Sequence, residues 1–328
     1  MSERTVNVSA ESWPLARPFV ISRGTKTAAD VLVVEITAGG HSGRGECVPY
    51  PRYGETVEDV LDDLNMQKQA IQGGLARDVL WYVMAPGAAR NAIDAALWDL
   101  EAKTVGAPVW SLAEVPEPKP VLTAQTLSIG TAAAMAEAAA EIADAPLIKI
   151  KLDADDVVAR VDAVHAAAPA ARLIADANEA WDMALLTAVA PQLAALGVEM
   201  IEQPLPAGDD AALEGYKCPV TLCADESCHT SDDLARLGKL YGMVNIKLDK
   251  TGGLTEALNL ARNAQASGMK MMIGCMVGTS LAMAPAVLLA PFAEYVDLDG
   301  PLLLKHDRAD GLMFKDGYVD PPTPALWG

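Results

Sequence analysis

Charged and polar residues recur along this chain at a nearly constant spacing. Seven marked residues follow one another at intervals of 22 to 28 residues, namely Lys151, Asp176, Glu202, Asp225, Lys247, Cys275 and Asp297. All but one of the seven can carry a charge, and each comes late in a short apolar run. Burying so many charges together is unfavourable unless they pair or bind a metal. The series therefore indicates a functional site rather than a set of solvated loop residues.

Three members of the series are carboxylates, with no His or Cys ligand among them. Asp176, Glu202 and Asp225 would come from three consecutive runs. An all-oxygen ligand set suits a hard cation, and Mg²⁺ fits best when positions are left open for a substrate. We therefore expect Mg²⁺ as the cofactor.

Lys151 and Lys247 stand on either side of the three carboxylates in the series. Around a closed ring of strands, their amines would face each other across the site. A second lysine, Lys149, lies two residues from Lys151, and its charge would lower the pKa of Lys151 toward that of a usable base. Removing a proton next to a carboxylate creates a dianion that a divalent cation must stabilise. Two opposed bases would give racemisation or epimerisation, and one active base would give elimination or cycloisomerisation.

Repeated β/α units would place these residues together. From about Val121, short apolar runs alternate with Ala-rich amphipathic stretches, and a strand, a helix and two short loops add up to the observed period. Eight such units form a closed barrel whose active site lies at the carboxyl ends of the strands. The fold class expected here is α/β, a modified (β/α)8-type barrel.

The first part of the chain has a different pattern. Strands are predicted over 5–10, 18–22 and 30–37, followed by a Gly-rich turn over 39–45 and helices over about 55–73 and 86–104. This part is expected to be an α+β unit, and the Pro- and Gly-rich end of the chain is expected to return to it.

Composition and charge exclude several classes of partner. The formal net charge is −19 and the pI is near 4.5, which argues against nucleic acid and anionic membranes. Five cysteines in a chain of 328 residues argue against a disulfide scaffold. The apolar stretch over 269–296 is broken by Gly and Pro, which favours a strand, a turn and a short helix over a membrane span. The chain start has no apolar signal core, and we expect a cytoplasmic protein.

The motifs at the strand ends resemble those of the enolase superfamily, in its muconate-lactonizing subgroup. They are KIK at 149–151, DAN at 176–178, EQP at 202–204, ADES at 224–227 and NIKLD at 245–249. The resemblance covers nearly the whole chain. It implies an N-terminal α+β capping domain over 1–115, a modified barrel over 116–300, and a C-terminal segment over 301–328 that returns to the cap.

Within that subgroup, Asp297-Leu298-Asp299-Gly300 resembles the DxD motif of dipeptide epimerases. The resemblance implies interconversion of L-Ala-D-Glu and L-Ala-L-Glu in murein peptide recycling. It implies Mg²⁺ on the three carboxylates, acid–base catalysis by Lys151 and Lys247 with help from Lys149, and a substrate ammonium on Asp297 and Asp299. Four further residues are expected to contact the dipeptide, with Arg23 pairing with a glutamate side chain: Arg23, Thr126, Cys275 and Met276. The segment over 48–55 would close over the site.

Several alternatives remain open from the sequence. The same subgroup includes o-succinylbenzoate synthase, N-succinylamino acid racemase and muconate cycloisomerase, none of which needs a paired aspartate for an ammonium. A barrel that only binds an anion would need no opposed lysines. A Schiff-base aldolase would need a lysine but would leave the carboxylates without a role. Homo-oligomerisation is compatible with the sequence but is not predicted by it.

Overall fold

The computed structural model describes residues 4–328. The N-terminal unit is built on an antiparallel sheet in the order β1 (Thr5–Ile21), β2 (Gly24–Ala38), β3 (His41–Cys47). The two strands predicted over 5–10 and 18–22 are one long strand, because β2 pairs with β1 along most of its length. The pairing is interrupted only between Pro14 and Phe19, where the register shifts.

The predicted Gly-rich turn over 39–45 was wrong in its extent. The turn is confined to Gly39 and Gly40, and the later glycines lie inside β3. They are there because a helix crosses the sheet closely: a Cβ on Gly45 would stand 2.1 Å from the Ala92 carbonyl oxygen. Glycine here permits backbone contact rather than a turn.

Four helices follow this sheet: α1 (Val57–Gln72) and α3 (Ala88–Val105) contact it, and α2 (Arg77–Val83) and α4 (Val109–Leu112) contact α3. The longest of them, α3, carries a continuous buried face that contacts β3. Thr56 caps α1 by accepting a hydrogen bond from Asp59 N, as an N-cap threonine does.

The second unit is an eight-stranded parallel sheet whose strands neighbour one another in chain order, as the repeat predicted. Its strands are β5 (Gln125–Leu127), β6 (Leu147–Lys151), β7 (Arg172–Asp176), β8 (Val198–Glu202), β9 (Thr221–Ala224), β10 (Met243–Ile246), β11 (Lys270–Ile273) and β12 (Tyr295–Val296). A backbone hydrogen bond of 2.8 Å from Ala124 N to Val296 O joins its two ends. The sheet therefore curls into a barrel.

Helices surround this barrel. They are α5 (Ala132–Glu141), α6 (Val157–Ala167), α7 (Met183–Ala195), α8 (Leu234–Leu237), α9 (Leu248–Thr251), α10 (Leu254–Ala266) and α11 (Ser280–Val287). One layer of the barrel interior takes one side chain from each strand or its approach: Ala124, Leu147, Ile174, Met200, Cys223, Met243, Met272 and Tyr295. This apolar layer fills the interior, as in barrels generally, and leaves the carboxyl ends of the strands for polar residues.

The stretch over 269–296 forms β11, α11 and β12 rather than one long helix. Within residues 4–328, no helix combines the length and the apolar character that a membrane crossing requires.

The C-terminal segment contacts both units. A small antiparallel sheet joins β13 (Phe314–Lys315) and β14 (Tyr318–Val319) to β4 (Val121–Leu122) at the amino-terminal end of the barrel. The chain end then reaches the cap, where Trp327 Nε1 donates a hydrogen bond of 3.0 Å to Ala95 O.

Candidate active site

Three carboxylates lie at the carboxyl ends of consecutive strands. Asp176 ends β7, Glu202 ends β8 in register beside it, and Asp225 follows β9 directly. All three side chains are almost completely buried. The turn after β9 is fixed by Gln203, whose side-chain oxygen accepts hydrogen bonds from Asp225 N and Ser227 N. The sheet therefore brings the three acidic residues of the series together.

Two lysine amines flank this group from neighbouring strands. Lys151 ends β6, and its Nζ lies 2.5 Å from Asp176 Oδ2. Lys247 follows β10, and its Nζ lies 2.7 Å from Asp225 Oδ2 and 3.9 Å from Glu202 Oε1. Each amine contacts the carboxylate of the adjacent strand, so the amines approach the group from opposite sides.

Lys149 is buried more deeply than Lys151. Its Nζ is 2.7 Å from Glu202 Oε2, 2.7 Å from Asp297 Oδ2 and 3.1 Å from Asp176 Oδ2. Burial favours the neutral amine, but the charges of Asp297, Glu202 and Asp176 outweigh it and raise the pKa of Lys149 well above its usual value. Lys149 therefore neutralises carboxylates, and its effect on the basicity of Lys151 stays a prediction.

The carboxylate group has the chemistry of a hard-cation site. Burial, followed by the charge of Asp176, raises the pKa of Glu202 above its usual value. Glu202 Oε2 accepts no hydrogen bond, although Lys149 Nζ stands 2.7 Å away outside hydrogen-bonding geometry. Among residues 4–328, no three His, Cys or acidic side chains are already arranged as a metal site, and lysines pair with the carboxylates. An oxygen-only donor set nevertheless fits a divalent cation.

Two residues that sequence reasoning did not single out complete the group. Lys250, on the short helix α9, donates to Asp225 Oδ1 at 2.7 Å, Asp225 O at 2.5 Å and Asn245 O at 3.0 Å. Asn245, inside β10, donates from Nδ2 to Glu202 Oε1 at 2.6 Å. A lysine three residues after Lys247 is the signal that could have identified Lys250, since one helical turn returns to the same face.

Asp249 would face the same way as Lys247 in an extended strand, but it points away from this group. The strand ends at Ile246, and Asp249 lies in α9. Its Oδ1 accepts hydrogen bonds from Val48 N at 3.1 Å and Asn91 Nδ2 at 2.8 Å, both in the cap. Asp249 therefore joins the barrel to the cap.

Asp297 and Asp299 follow the last barrel strand. Asp299 Oδ2 accepts a hydrogen bond of 2.6 Å from Thr126 N, and Thr126 Oγ1 lies 3.4 Å from Asp297 Oδ1. Burial, and then the charge of Asp297, raise the pKa of Asp299 above its usual value. A substrate cation would relieve this repulsion.

The cap closes the mouth of the barrel. A cavity of about 50 Å³ is lined from the cap side by Arg23, Tyr50 and Tyr53, and from the barrel side by Lys151, Lys247, Cys275 and Met276. That volume holds one or two water molecules, so a larger substrate requires side chains to move. Glu55 anchors the segment over 48–55 by accepting hydrogen bonds from Tyr50 N at 3.1 Å and Ala88 N at 2.8 Å.

Comparison with known proteins gives the family. The profile described as mandelate racemase/muconate lactonizing enzyme, N-terminal domain, matches residues 3–113. The profile described as enolase C-terminal domain-like matches residues 131–325. The chain belongs to the enolase superfamily, in the mandelate racemase/muconate lactonizing enzyme family. The resemblance seen in the strand-end motifs is thereby confirmed.

Two curated relatives in this family are similar over nearly their whole length. L-Ala-D/L-Glu epimerase of Escherichia coli is 49% identical over 318 residues, covering 96% of this chain and 99% of the relative. N-acetyl-D-glutamate racemase of a Pseudoalteromonas species is 46% identical over 302 residues, covering 91% of this chain and 95% of the relative. The two relatives carry different activities on glutamyl compounds.

Solved structures of this family match the fold closely. An enolase family member from Agrobacterium tumefaciens with homology to dipeptide epimerases contains sodium and L-Ala-L-Glu; its TM-score is 0.97 at 49% identity, covering 99% of this chain and 100% of that one. A dipeptide epimerase from Enterococcus faecalis, complexed with Mg and L-Leu-L-Tyr, has a TM-score of 0.93 at 29% identity. The match covers 100% of this chain and 99% of that one.

Proposed function

We propose that this family member is a Mg²⁺-dependent dipeptide epimerase that interconverts L-Ala-D-Glu and L-Ala-L-Glu. One observation carries the proposal: Lys151 Nζ and Lys247 Nζ reach a buried group of three carboxylates from opposite sides, at 2.5 and 2.7 Å from their carboxylate partners. Two opposed amines are what proton removal from one face and return to the other require. The relative from Escherichia coli at 49% identity supports the dipeptide substrate.

The proposed ligands of Mg²⁺ are Asp176, Glu202 and Asp225. A divalent cation bound there would polarise a carboxylate and offset the negative charge that develops when the adjacent C–H bond breaks. Asn245 and Lys250 hold Glu202 and Asp225 in place by their hydrogen bonds.

The two lysines would alternate as acid and base. Burial favours a neutral amine at Lys247, but the charges of Asp225 and Glu202 outweigh burial and raise its pKa well above the usual value. In the arrangement described, Lys247 Nζ is therefore a proton donor. The opposite amine, Lys151 Nζ, would then take the proton, and the reverse reaction would exchange these roles.

Asp297 and Asp299 would receive the free ammonium of the N-terminal residue, since two adjacent buried carboxylates favour a cation between them. Thr126 would position this pair through the two contacts described above. Arg23, Cys275 and Met276 would line the side-chain pocket.

Proton exchange in D₂O tests the proposal. With Mg²⁺ present, ¹H NMR should show loss of the glutamyl α-proton signal of L-Ala-L-Glu and appearance of L-Ala-D-Glu. Removal of divalent cations should stop both changes. Absence of exchange with every Ala-Glu stereoisomer would refute the proposal.

Racemisation of N-acetylglutamate is a second candidate, because a relative with that activity is 46% identical. An acetylated nitrogen carries no charge, so this substrate does not need the acidic pair. Asp297→Asn should reduce activity on the dipeptide by at least about tenfold, the effect of one charge-assisted hydrogen bond. Activity on N-acetylglutamate should fall less, and the ratio of the two losses distinguishes the candidates.

The place of the reaction is part of the proposal. An L-Ala-D-Glu substrate would be released during murein peptide recycling, and we propose that the epimerisation takes place in the cytoplasm. Export of the mature chain, measured by fractionation of a producing cell, would contradict this location.

A further inference from the structure

Two cationic side chains from the first cap hairpin reach the cavity at the barrel mouth. Arg23 lies in the turn between β1 and β2, and Lys26 lies on β2 opposite Phe19. Both line the cavity together with Lys151 and Lys247. The cap therefore adds two positive charges to the wall that faces the catalytic amines.

The charge of Arg23 is already matched within the protein. Its Nη1 lies 2.8 Å from Glu226 Oε1 and 3.3 Å from Glu179 Oε2, and it donates a hydrogen bond of 3.0 Å to Asn178 O. Its Nη2 contacts Tyr50 Oη at 3.1 Å. Arg23 thus ties the cap hairpin to the ends of β7 and β9.

Lys26 has no such partner. Within the described range 4–328, its ammonium forms no hydrogen bond and has no carboxylate within 4.0 Å. It stands over the ring of Tyr50, with Nζ 4.7 Å from the ring centroid. The side chain is half-buried, and burial is the main cause that lowers the pKa of Lys26. A desolvated ammonium held on an aromatic ring favours an added anion, which would restore a charge partner.

The substrate pose fixes which anion can reach it. Under the proposed function, the dipeptide's α-carboxylate lies at the three acidic residues, its reacting carbon lies between Lys151 and Lys247, and its ammonium lies at Asp297 and Asp299. The barrel floor is filled by apolar side chains. The side chain of the reacting residue is left with one direction, toward the cap.

We propose that Lys26 is a specificity-determining residue whose ammonium pairs with the side-chain carboxylate of the glutamyl residue being epimerised. This inference rests on the proposed function and deepens it, since it names a cap residue, besides the Arg23 implied by the family resemblance, that distinguishes an acidic from a neutral side chain. Tyr50 holds the ammonium from one side, and the cavity leaves the other side open to substrate.

Substitution with a neutral side chain of similar length tests this role. Lys26→Met should raise KM for L-Ala-L-Glu about tenfold to a hundredfold, the effect of losing one charge-assisted hydrogen bond. The values of kcat/KM for L-Ala-L-Gln and L-Ala-L-Met should change less than about threefold, so the Glu-to-Gln preference should collapse. Lys26→Arg keeps the charge and should retain most of that preference. Lys119→Met, an exposed lysine on the chain segment before the barrel, is the matched control and should behave like the unsubstituted protein.

The outcomes separate this inference from the proposed function. If the unsubstituted protein exchanges no α-proton in any Ala-Glu isomer, the proposed function itself fails. If it is active and Lys26→Met affects the Glu and Gln dipeptides equally, or affects neither, the role of Lys26 is refuted while the epimerase activity stands. A merely structural role would lower activity on all three dipeptides together, and a thermal melt of each variant would reveal the loss of folding.

Discussion

Removal of the Lys250 ammonium should destabilise the protein strongly, although this residue was not part of the predicted site. Lys250 is 2% exposed and is bonded to Asp225 Oδ1, Asp225 O and Asn245 O. Lys250→Met keeps the volume of the side chain but leaves two buried carbonyl oxygens without this donor. Among residues 4–328, it also leaves Asp225 with Lys247 as its only remaining lysine partner.

The magnitude follows from these contacts. Breaking a buried ion pair by removing one partner costs about 3 to 5 kcal/mol. A chain of 328 residues has an unfolding entropy of about 0.7 kcal/mol per degree, at roughly 2.1 cal/mol/K per residue. The expected fall in melting temperature is therefore about 4 to 7 °C, measured by calorimetry without divalent cations.

The matched control is Lys239→Met, because Lys239 is exposed and its side chain forms no ion pair within the described residues. Its free energy of unfolding should change by less than about 0.5 kcal/mol. Millimolar Mg²⁺ should recover part of the loss in Lys250→Met, since a ligand that binds only the folded state raises the melting temperature. A Lys250→Met variant that melts within about 1 °C of the unsubstituted protein would refute the view that Lys250 holds Asp225.

Three further outcomes are expected. Lys151→Ala and Lys247→Ala should each lower the rate of epimerisation by about 10²- to 10⁴-fold. Each variant should still exchange the α-proton of one stereoisomer, and that stereoisomer should differ between the two variants. Loss of exchange with the same stereoisomer in both variants would contradict opposed bases. Burial raises the pKa of Asp249 to about 7, so its stabilising contribution is present at acid pH and is lost as the pH rises through about 7. Between about pH 5.5 and about pH 8, urea unfolding should show that the unsubstituted protein loses about 2 kcal/mol more unfolding free energy than Asp249→Asn does. Equal losses in the two proteins would contradict the raised pKa of Asp249. Gly45→Ala should cost several kcal/mol, because the new Cβ meets the Ala92 carbonyl of α3, whereas Gly208→Ala, with open space around it, should be nearly neutral in the same unfolding assay.

The positions of the site residues could be predicted from sequence because they depend on period and strand direction. Parallel strands in series carry their carboxyl ends to one edge, so charged residues at a constant interval must meet there. Asp176, Glu202 and Asp225 lie at neighbouring strand ends for this reason alone. No knowledge of side-chain contacts was needed.

The partners of these residues could not be predicted in the same way. The spacing of Lys149 and Lys151 did not reveal that the Lys149 ammonium contacts carboxylates from β7 and β8 and the one following β12. Asp249 would face the site if β10 continued through it, but the strand ends before it and a turn of helix directs it to the cap. Both outcomes depend on where a strand ends and how deep a side chain lies, which alternation of residues does not encode.

The lysines of the site balance its carboxylates, and this balance limits what the lysines can do. Lys151 and Lys247 contact oxygens of the same carboxylates that are the proposed ligands of the cation. The charges of Asp225 and Glu202 outweigh burial at Lys247 and raise the pKa of its amine. Lys247 can therefore accept a proton only when those charges are neutralised from elsewhere. A divalent cation bound to these oxygen atoms would supply that neutralisation. Binding of the cation and the basicity of Lys247 are therefore coupled.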